Sequence, residues 1–221
     1  SPGSEASKEI DIIAPPGAMT VETVTDSPHL RPARLRVVIG GRIRRIEPVA
    51  FDAIPQALVN EPWHEIRDAG AVLAAFRFAI AGTNLALEGR VTDRTLRPSD
   101  VPWKGSEVEV LGALPGPSTI GQVFLVPAAQ DQPDKAFRQE GAQTAPFADI
   151  RLKTTRTPDG YTLAALIPLS SLALAPDARE ILLEIAVNSA ASGTPVFKYR
   201  TLFGSTSAYN NTSRYAHLAA E

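Results

Sequence analysis

Prolines and glycines break this chain too often for it to build long helices. Nineteen prolines and fifteen glycines are spread through its 221 residues. A proline inside a helix removes a hydrogen-bond donor and clashes with the preceding turn, and both residue types mark turns. The stretches between the breaks are short, and many alternate. Phe76, Phe78 and Ile80 are interleaved with Arg77 and Ala79. After the turn at Ala81-Gly82-Thr83-Asn84, one row is Leu85, Leu87, Gly89 and Val91, and the other is Ala86, Glu88, Arg90 and Thr92. Successive side chains of a strand point to opposite faces, so this period of two marks half-buried antiparallel strands.

The same signature recurs downstream. Val108 and Val110 point inward and Glu107 and Glu109 outward; Gly121 to Val126 is another strand. Ile150 to Thr157 and Tyr161 to Ile167 flank Pro158-Asp159-Gly160, where the Asp-Gly pair is expected to supply the positive φ of a hairpin turn. Ile181, Leu183, Ile185 and Val187 alternate with Glu184, Ala186 and Asn188. Val196 to Phe203 and Tyr215 to Ala219 close the series. Residues 127–147 are polar and rich in Pro, Gln and Ala, which predicts a long, weakly ordered loop. Asp52 to Val59 and Leu169 to Leu172 are candidates for single helical turns, with Ser170 and Ser171 as possible caps. About ten short strands without a long amphipathic helix predict an all-β fold: a two-sheet antiparallel β-sandwich, jelly-roll-like, with minor helical turns.

Domain organisation follows. Residues 1–18 read as a linker or a cloning remnant. Residues 19–47 read as an N-terminal β-hairpin extension, with strands at Thr20–Thr25 and Arg34–Ile39 and a Gly40-Gly41 turn before Arg42–Ile46. Residues 48–221 form the main sandwich. Six arginines lie between Arg31 and Arg45, either a solvated hairpin face or a patch for an anionic polysaccharide.

Composition excludes several function classes. With no cysteine, disulfides and thiol or Cys-zinc chemistry are absent. A net charge of −2 gives no reason to expect nucleic acid. No apolar run reaches the roughly 18 residues of a membrane span. No nucleophile elbow, phosphate loop, zinc-protease or dinucleotide motif occurs. His29, His64 and His217 are far apart in sequence. Glu107 and Glu109 share a strand face roughly 6–7 Å apart. Glycosidase carboxylates normally project from different segments across a cleft, so a ligand-binding, metal-binding or merely solvated face fits the pair better than catalysis. Calcium suits oxygen ligands at sandwich loops, and Asp93 and Glu107 are its candidate ligands.

Five segments, in order across residues 70–219, resemble the family 9 carbohydrate-binding modules and their DOMON-like relatives. They are Asn84–Asp93, Pro102-Trp-Lys-Gly-Ser-Glu-Val-Glu-Val110, Asp159–Leu172, Leu183–Asn188 and Tyr209–Tyr215. The resemblance implies a non-catalytic module that binds the terminus of an oligo- or polysaccharide. Two rings would stack on the sugar: Trp103 in the Pro-Trp motif and Tyr209 before the last turn, facing each other across a gap of about 7 Å, two stacking distances. Glu109 would bind hydroxyls, with Glu107, Lys104 and Asn188 as further polar candidates. The sequence departs from the family pattern where Ser106 and Ser189 replace acids, where Tyr209 replaces a tryptophan, and where Phe124 stands near a position that takes a polar or basic residue. From the residues alone, Trp103 could equally pack over the sandwich rim and Tyr209 could brace a corner.

The resemblance further implies a covalently linked catalytic domain, a glycoside hydrolase or polysaccharide lyase, in an exported bacterial protein that is secreted or periplasmic. The alternative is an interaction domain of the same fold packed on a catalytic partner. A haem-binding relative needs axial ligands such as Met and His, and Met19, the single methionine, lies outside the matched region.

Overall fold

The computed structural model describes residues 41–116, 118–129, 132–190, 198–204 and 208–221. Fourteen strands run through them: β1 (Gly41–Ile43), β2 (Arg45–Ile46), β3 (His64–Asp68), β4 (Ala71–Ala81), β5 (Asn84–Thr92), β6 (Glu107–Ala113), β7 (Gly121–Val126), β8 (Lys135–Glu140), β9 (Gln143–Pro146), β10 (Arg151–Thr157), β11 (Gly160–Pro168), β12 (Glu180–Ser189), β13 (Lys198–Thr201) and β14 (Ala216–Ala220). They form two sheets. One has the order β1-β14-β12-β6-β7-β8-β9, with β13 also paired to β12; the other has β10-β11-β5-β4-β2, with β3 also paired to β4. The all-β sandwich expected from the alternation is the observed fold.

The inward rows are those the periodicity selects. Phe76, Phe78, Ile80, Leu85, Leu87, Val91, Leu163 and Ile167 from the six-stranded sheet meet Val108, Val110, Val123, Leu125, Ile181, Leu183, Ile185 and Val187 from the eight-stranded one. Gly89 lies on the inward row because any Cβ there would stand 2.7 Å from the Phe76 ring. On the outer face of the six-stranded sheet, the short helical segment Phe51–Ala57 buries Phe51 and Ile54, with Leu58, against Ala79, Ala81, Ala86 and Leu166.

Several expectations need correction. Residues 135–146, read as loop, form the β8–β9 hairpin, which turns at Gly141 with φ of 61°. Polar side chains on a sheet-edge hairpin hide its alternation; only Phe137 is fully covered. Gly160 does not adopt positive φ. Glycine is required there by close approach, since a Cβ would sit 1.9 Å from the Val91 carbonyl oxygen. The segment Leu169–Leu172 is a helical turn, but no side chain caps it; Ser171 Oγ donates to the Pro168 carbonyl oxygen at 2.6 Å.

Of the expected N-terminal hairpin, only residues 41–46 lie within the described residues, and there they pair with strands far along the chain. β1 pairs in parallel with β14 and β2 in parallel with β4, so this stretch joins both sheets. Thr20–Thr25, Arg34–Ile39, Gly40, His29, Met19, Arg31, Arg34 and Arg36 lie outside the described residues. The other three of the six arginines, Arg42, Arg44 and Arg45, have protein partners. Arg42 reaches Glu221 at 3.0 Å, Arg44 reaches Glu61 at 2.5 Å, and Arg45 donates to the Pro176 and Ala178 carbonyl oxygens at 2.7 and 2.6 Å.

Candidate functional site

The outer face of the eight-stranded sheet holds the site. Register places Glu109 of β6 beside Phe124 of β7 and Ala186 of β12, Phe124 beside Phe137 of β8, and Asn188 between Glu107 and Tyr199 of β13. A cleft of about 520 Å³ opens over this face. Its mouth carries Trp103 and Tyr209, 49% and 63% exposed. Glu109, Gln122, Phe124, Gln139, Tyr199 and Ala208 complete its lining with Ala142.

Trp103 stands on a single helical turn, Pro102–Lys104, that is fastened from two directions. Asn188 Nδ2 donates to the Trp103 and Gly105 carbonyl oxygens at 3.2 and 2.9 Å. The Arg97 amide donates to Ser106 Oγ at 2.7 Å, and the Ser106 amide donates to the Arg97 carbonyl at 2.8 Å. Gly105 has no room for a side chain, because a Cβ would lie 2.4 Å from the Arg97 carbonyl oxygen. The indole rests against Phe124, with centroids 6.0 Å apart and planes inclined by 53°. Phe124, expected near a polar subsite, is thus the buried support of the exposed ring.

Tyr209 is positioned through its neighbours. Tyr215 is fully buried, and its hydroxyl donates to the Ala208 carbonyl oxygen. Asn211 caps the following turn by accepting from the Ser213 amide at 2.9 Å.

The carboxylates are not solvated, contrary to the outward-facing expectation. Glu107 and Glu109 point away from the core yet are only 1% and 4% exposed, because loops and neighbouring strands cover that face. Glu109 accepts from the Gln122 amide through Oε1 and from the Tyr199 hydroxyl, at 2.7 Å, through Oε2. Burial raises its pKa, and these two hydrogen bonds partly oppose the rise. Neither oxygen of Glu107 has a partner; burial, and then the charge of Glu109, push its pKa well up. Burial and the field of Glu109 likewise hold the Tyr199 hydroxyl protonated, so it serves as a donor.

Of the residues singled out from sequence, Trp103, Glu109 and Tyr209 come together on one cleft. Asn188 does not present its amide to the cleft, since both of its donated hydrogen bonds hold the tryptophan turn. Lys104 is exposed on that turn and does not line the cleft, and Glu107 lies buried beneath it. Gln122, Gln139 and Tyr199 were not foreseen. Gln122 and Tyr199 carried a signal: Gln122 is two residues from Phe124, on the same strand face, and Tyr199 sits in a strand already recognised.

Asp93, the other expected calcium ligand, is fully buried. Burial raises its pKa, against hydrogen bonds from Ser106 and from the Ala190 and Thr95 backbone. Among the described residues no three His, Cys, Asp or Glu side chains converge on one point. Another hollow, of about 690 Å³, lies beside the β8–β9 hairpin, but its charges are already engaged: Lys135 with Asp100 at 2.6 Å, and Asp134 with the Thr154 and Ala128 amides at 3.0 and 2.9 Å.

No family model matches the chain, and no curated protein is similar to it. Solved structures do match. A family 9 carbohydrate-binding module from Caldicellulosiruptor kristjanssonii, in complex with glucose, aligns at a TM-score of 0.54 and 20% identity, covering 80% of this chain and 95% of that one. A family 9 carbohydrate-binding module from the same organism, in complex with cellotriose, aligns at a TM-score of 0.55 and 19% identity, covering 81% of this chain and 92% of that one. A Bacteroides uniformis protein to which carbohydrate binding has been attributed aligns at 0.61 and 11% identity, covering 81% and 98%. At these identities the likeness establishes a shared fold.

Proposed function

We propose that this chain is a non-catalytic carbohydrate-binding module that holds the terminus of an oligo- or polysaccharide in the cleft over the eight-stranded sheet. The observation that carries the reading is the placement of exposed aromatic rings. Among the described residues the large exposed aromatics are Trp103, Tyr199 and Tyr209, and all three line that cleft beside Glu109. A pyranose has an apolar C–H face and a polar rim; a ring covers the first, and carboxylate, amide and hydroxyl groups bind the second. Covering about 100 Å² of apolar surface per ring contributes roughly 2.5 kcal/mol gross. Two rings and a few hydrogen bonds, less association costs, correspond to affinities on the order of μM to mM. The sugar complexes of the structurally similar modules support the same reading.

The wider setting is part of the proposal. Tethered to a hydrolase or lyase in an exported protein, secreted or periplasmic, the module raises the effective concentration of enzyme at its glycan. An interaction domain docking on a catalytic partner would expose an apolar patch; the other exposed large apolar residues among those described are three valines, Val59, Val72 and Val101. Structural calcium at Asp93 and Glu107 is a proposal of the same standing: a chelator lowers the melting temperature if an ion joins the pair and leaves it unchanged if protonation alone keeps them buried.

The deciding experiment is calorimetric titration against a glycan panel, with Trp103→Ala as control. Binding of at least one neutral oligosaccharide, weakened more than tenfold by the substitution, is expected. A sugar that binds both proteins equally would remove the site from this cleft; a folded protein that binds none would leave the scaffold reading.

A further inference from the structure

We propose that the cleft selects its glycan terminus by charge, taking a sugar that bears a protonated amine in preference to the neutral sugar and rejecting a uronate. This rests on the reading that the cleft is a sugar site and specifies its ligand. The geometry leaves an anion there without a counter-ion. Glu109 lines the cleft, 4% exposed, and the groups that donate to it, the Gln122 amide and the Tyr199 hydroxyl, are neutral. Two residues away on the same face of β6, both oxygens of the buried Glu107 are unpartnered. Glu184, on the adjacent strand, accepts from the Ile185 and Phe203 amides at 3.0 and 2.8 Å and adds to the negative field around Tyr199.

The cations nearest Glu109 along the neighbouring strands are tied elsewhere. Lys198 and Arg200, flanking Tyr199 on β13, both bind Asp68, at 2.7 and 2.9 Å. Arg138, beside Gln139, binds Glu140 and lies over the Phe147 ring at 4.3 Å. No lysine or arginine lines the cleft among the described residues. A buried carboxylate without a cation is unfavourable, and a ligand that brings one relieves the imbalance. The rings favour the same ligand, since the face of Trp103 or Tyr209 attracts a cation. A uronate would meet like charge and neutral acceptors. Burial, which raises the pKa of Glu109, adds to the gain, because a bound ammonium favours the ionised form.

The test is titration of the full chain with glucose, glucosamine, N-acetylglucosamine and glucuronate at pH 7, where an amine titrating near about 8 is mostly protonated. Glucosamine should bind about tenfold more tightly than glucose, about 1.4 kcal/mol, and lose that advantage in high salt. N-acetylglucosamine should lack the advantage, and glucuronate should bind at least tenfold more weakly than glucose. Glu109→Gln should bring glucosamine down to the level of glucose; if that variant does not fold, the ligand series alone decides. If glucose binds as well as glucosamine, charge selection is wrong and the sugar-site reading stands. If the folded protein binds none of the four, nor any oligosaccharide of the panel, both fail.

Discussion

The two outer faces of the sandwich use the same ingredients, aromatic rings beside charged groups, and finish them differently. On the six-stranded sheet every partner is supplied by the chain. Trp63 has the guanidinium groups of Arg77 and Arg90 at 4.8 and 4.4 Å from its ring, and Arg151 lies 4.7 Å from the Phe51 ring. Arg77 also binds Glu88 at 2.6 Å and donates to the Val59 and Pro55 carbonyls at 3.2 and 3.1 Å. On the eight-stranded sheet the rings of Trp103 and Tyr209 stand in solvent and Glu109 has no cation. A face whose charges and rings are mutually satisfied holds the fold together; one whose rings are open and whose carboxylate lacks a counter-charge is the face the proposed function assigns to a ligand.

The sharpest way to break this contrast is Arg77→Ala. Arg77 and Glu88 are an almost buried pair, and removing one member leaves Glu88 uncompensated while freeing two carbonyls and one side of Trp63. Breaking such a pair destabilises by about 3–5 kcal/mol, or a fall in melting temperature on the order of 10 °C for a domain this size. Sugar affinity of the folded fraction should not change. A melting temperature within a degree or two of the parent would show that the closed face is no more structural than the open one.

The open face predicts the opposite sign. Glu107→Met removes a carboxylate with no partner on either oxygen and replaces it with an apolar chain of similar size. Because burial raises the pKa of Glu107 in the folded chain, the folded protein keeps a proton that the unfolded chain has lost at pH values between the two. Its contribution to stability is therefore full below the ordinary carboxylate range and is lost as pH rises through the raised value. Other groups shift the absolute curve: Asp93 and Glu109 in the same direction, His64, whose pKa burial lowers, in the opposite one. The difference between variant and parent isolates Glu107. It should be small at pH 5 and widen toward pH 8, reaching about 1–3 kcal/mol in favour of the variant by thermal melts. A constant difference would mean that Glu107 does not titrate between those limits.

The same contrast explains what could be read from the sequence. The inward rows were legible because apolar residues at period two, such as Leu85, Leu87 and Val91, have one place to go. Trp103 and Tyr209 were singled out through the family resemblance, since the residues alone left open whether either ring packs on the sandwich or faces solvent. Edge and loop structure was not legible. Lys135–Glu140 is polar enough to read as loop, since a strand next to the sheet edge that needs one covered residue, Phe137, carries almost no periodic signal. The parallel pairings of residues 41–46 depend on partners far along the chain, and local propensity says nothing about them. The burial of Glu107 and Glu109 also escaped, because alternation tells which face a residue takes and not whether loops cover it. Asn188 shows the same limit: its hydrogen-bonding capacity was evident from the sequence, and its bonds to the Trp103 and Gly105 carbonyls were not.

Those bonds give the smallest of the expected effects and the one that best separates positioning from contact. Asn188 donates to the carbonyls of Trp103 and Gly105, and so joins β12 to the turn that presents the indole. Asn188→Ala removes two hydrogen bonds, each contributing about 0.5–1.5 kcal/mol, and should lower the melting temperature by only a few degrees. Trp103 keeps its ring and its support on Phe124, but the turn is freer and must be ordered when sugar binds. Affinity should fall severalfold, less than for Trp103→Ala, with a less favourable binding entropy by calorimetry. Asn188→Asp, which keeps the shape but turns a donor toward two carbonyls into an acceptor, should be worse than Ala in both measurements. If Ala and Asp leave affinity equal to the parent, the turn holds Trp103 without help from β12, and the open face is less pre-organised than its hydrogen bonds imply.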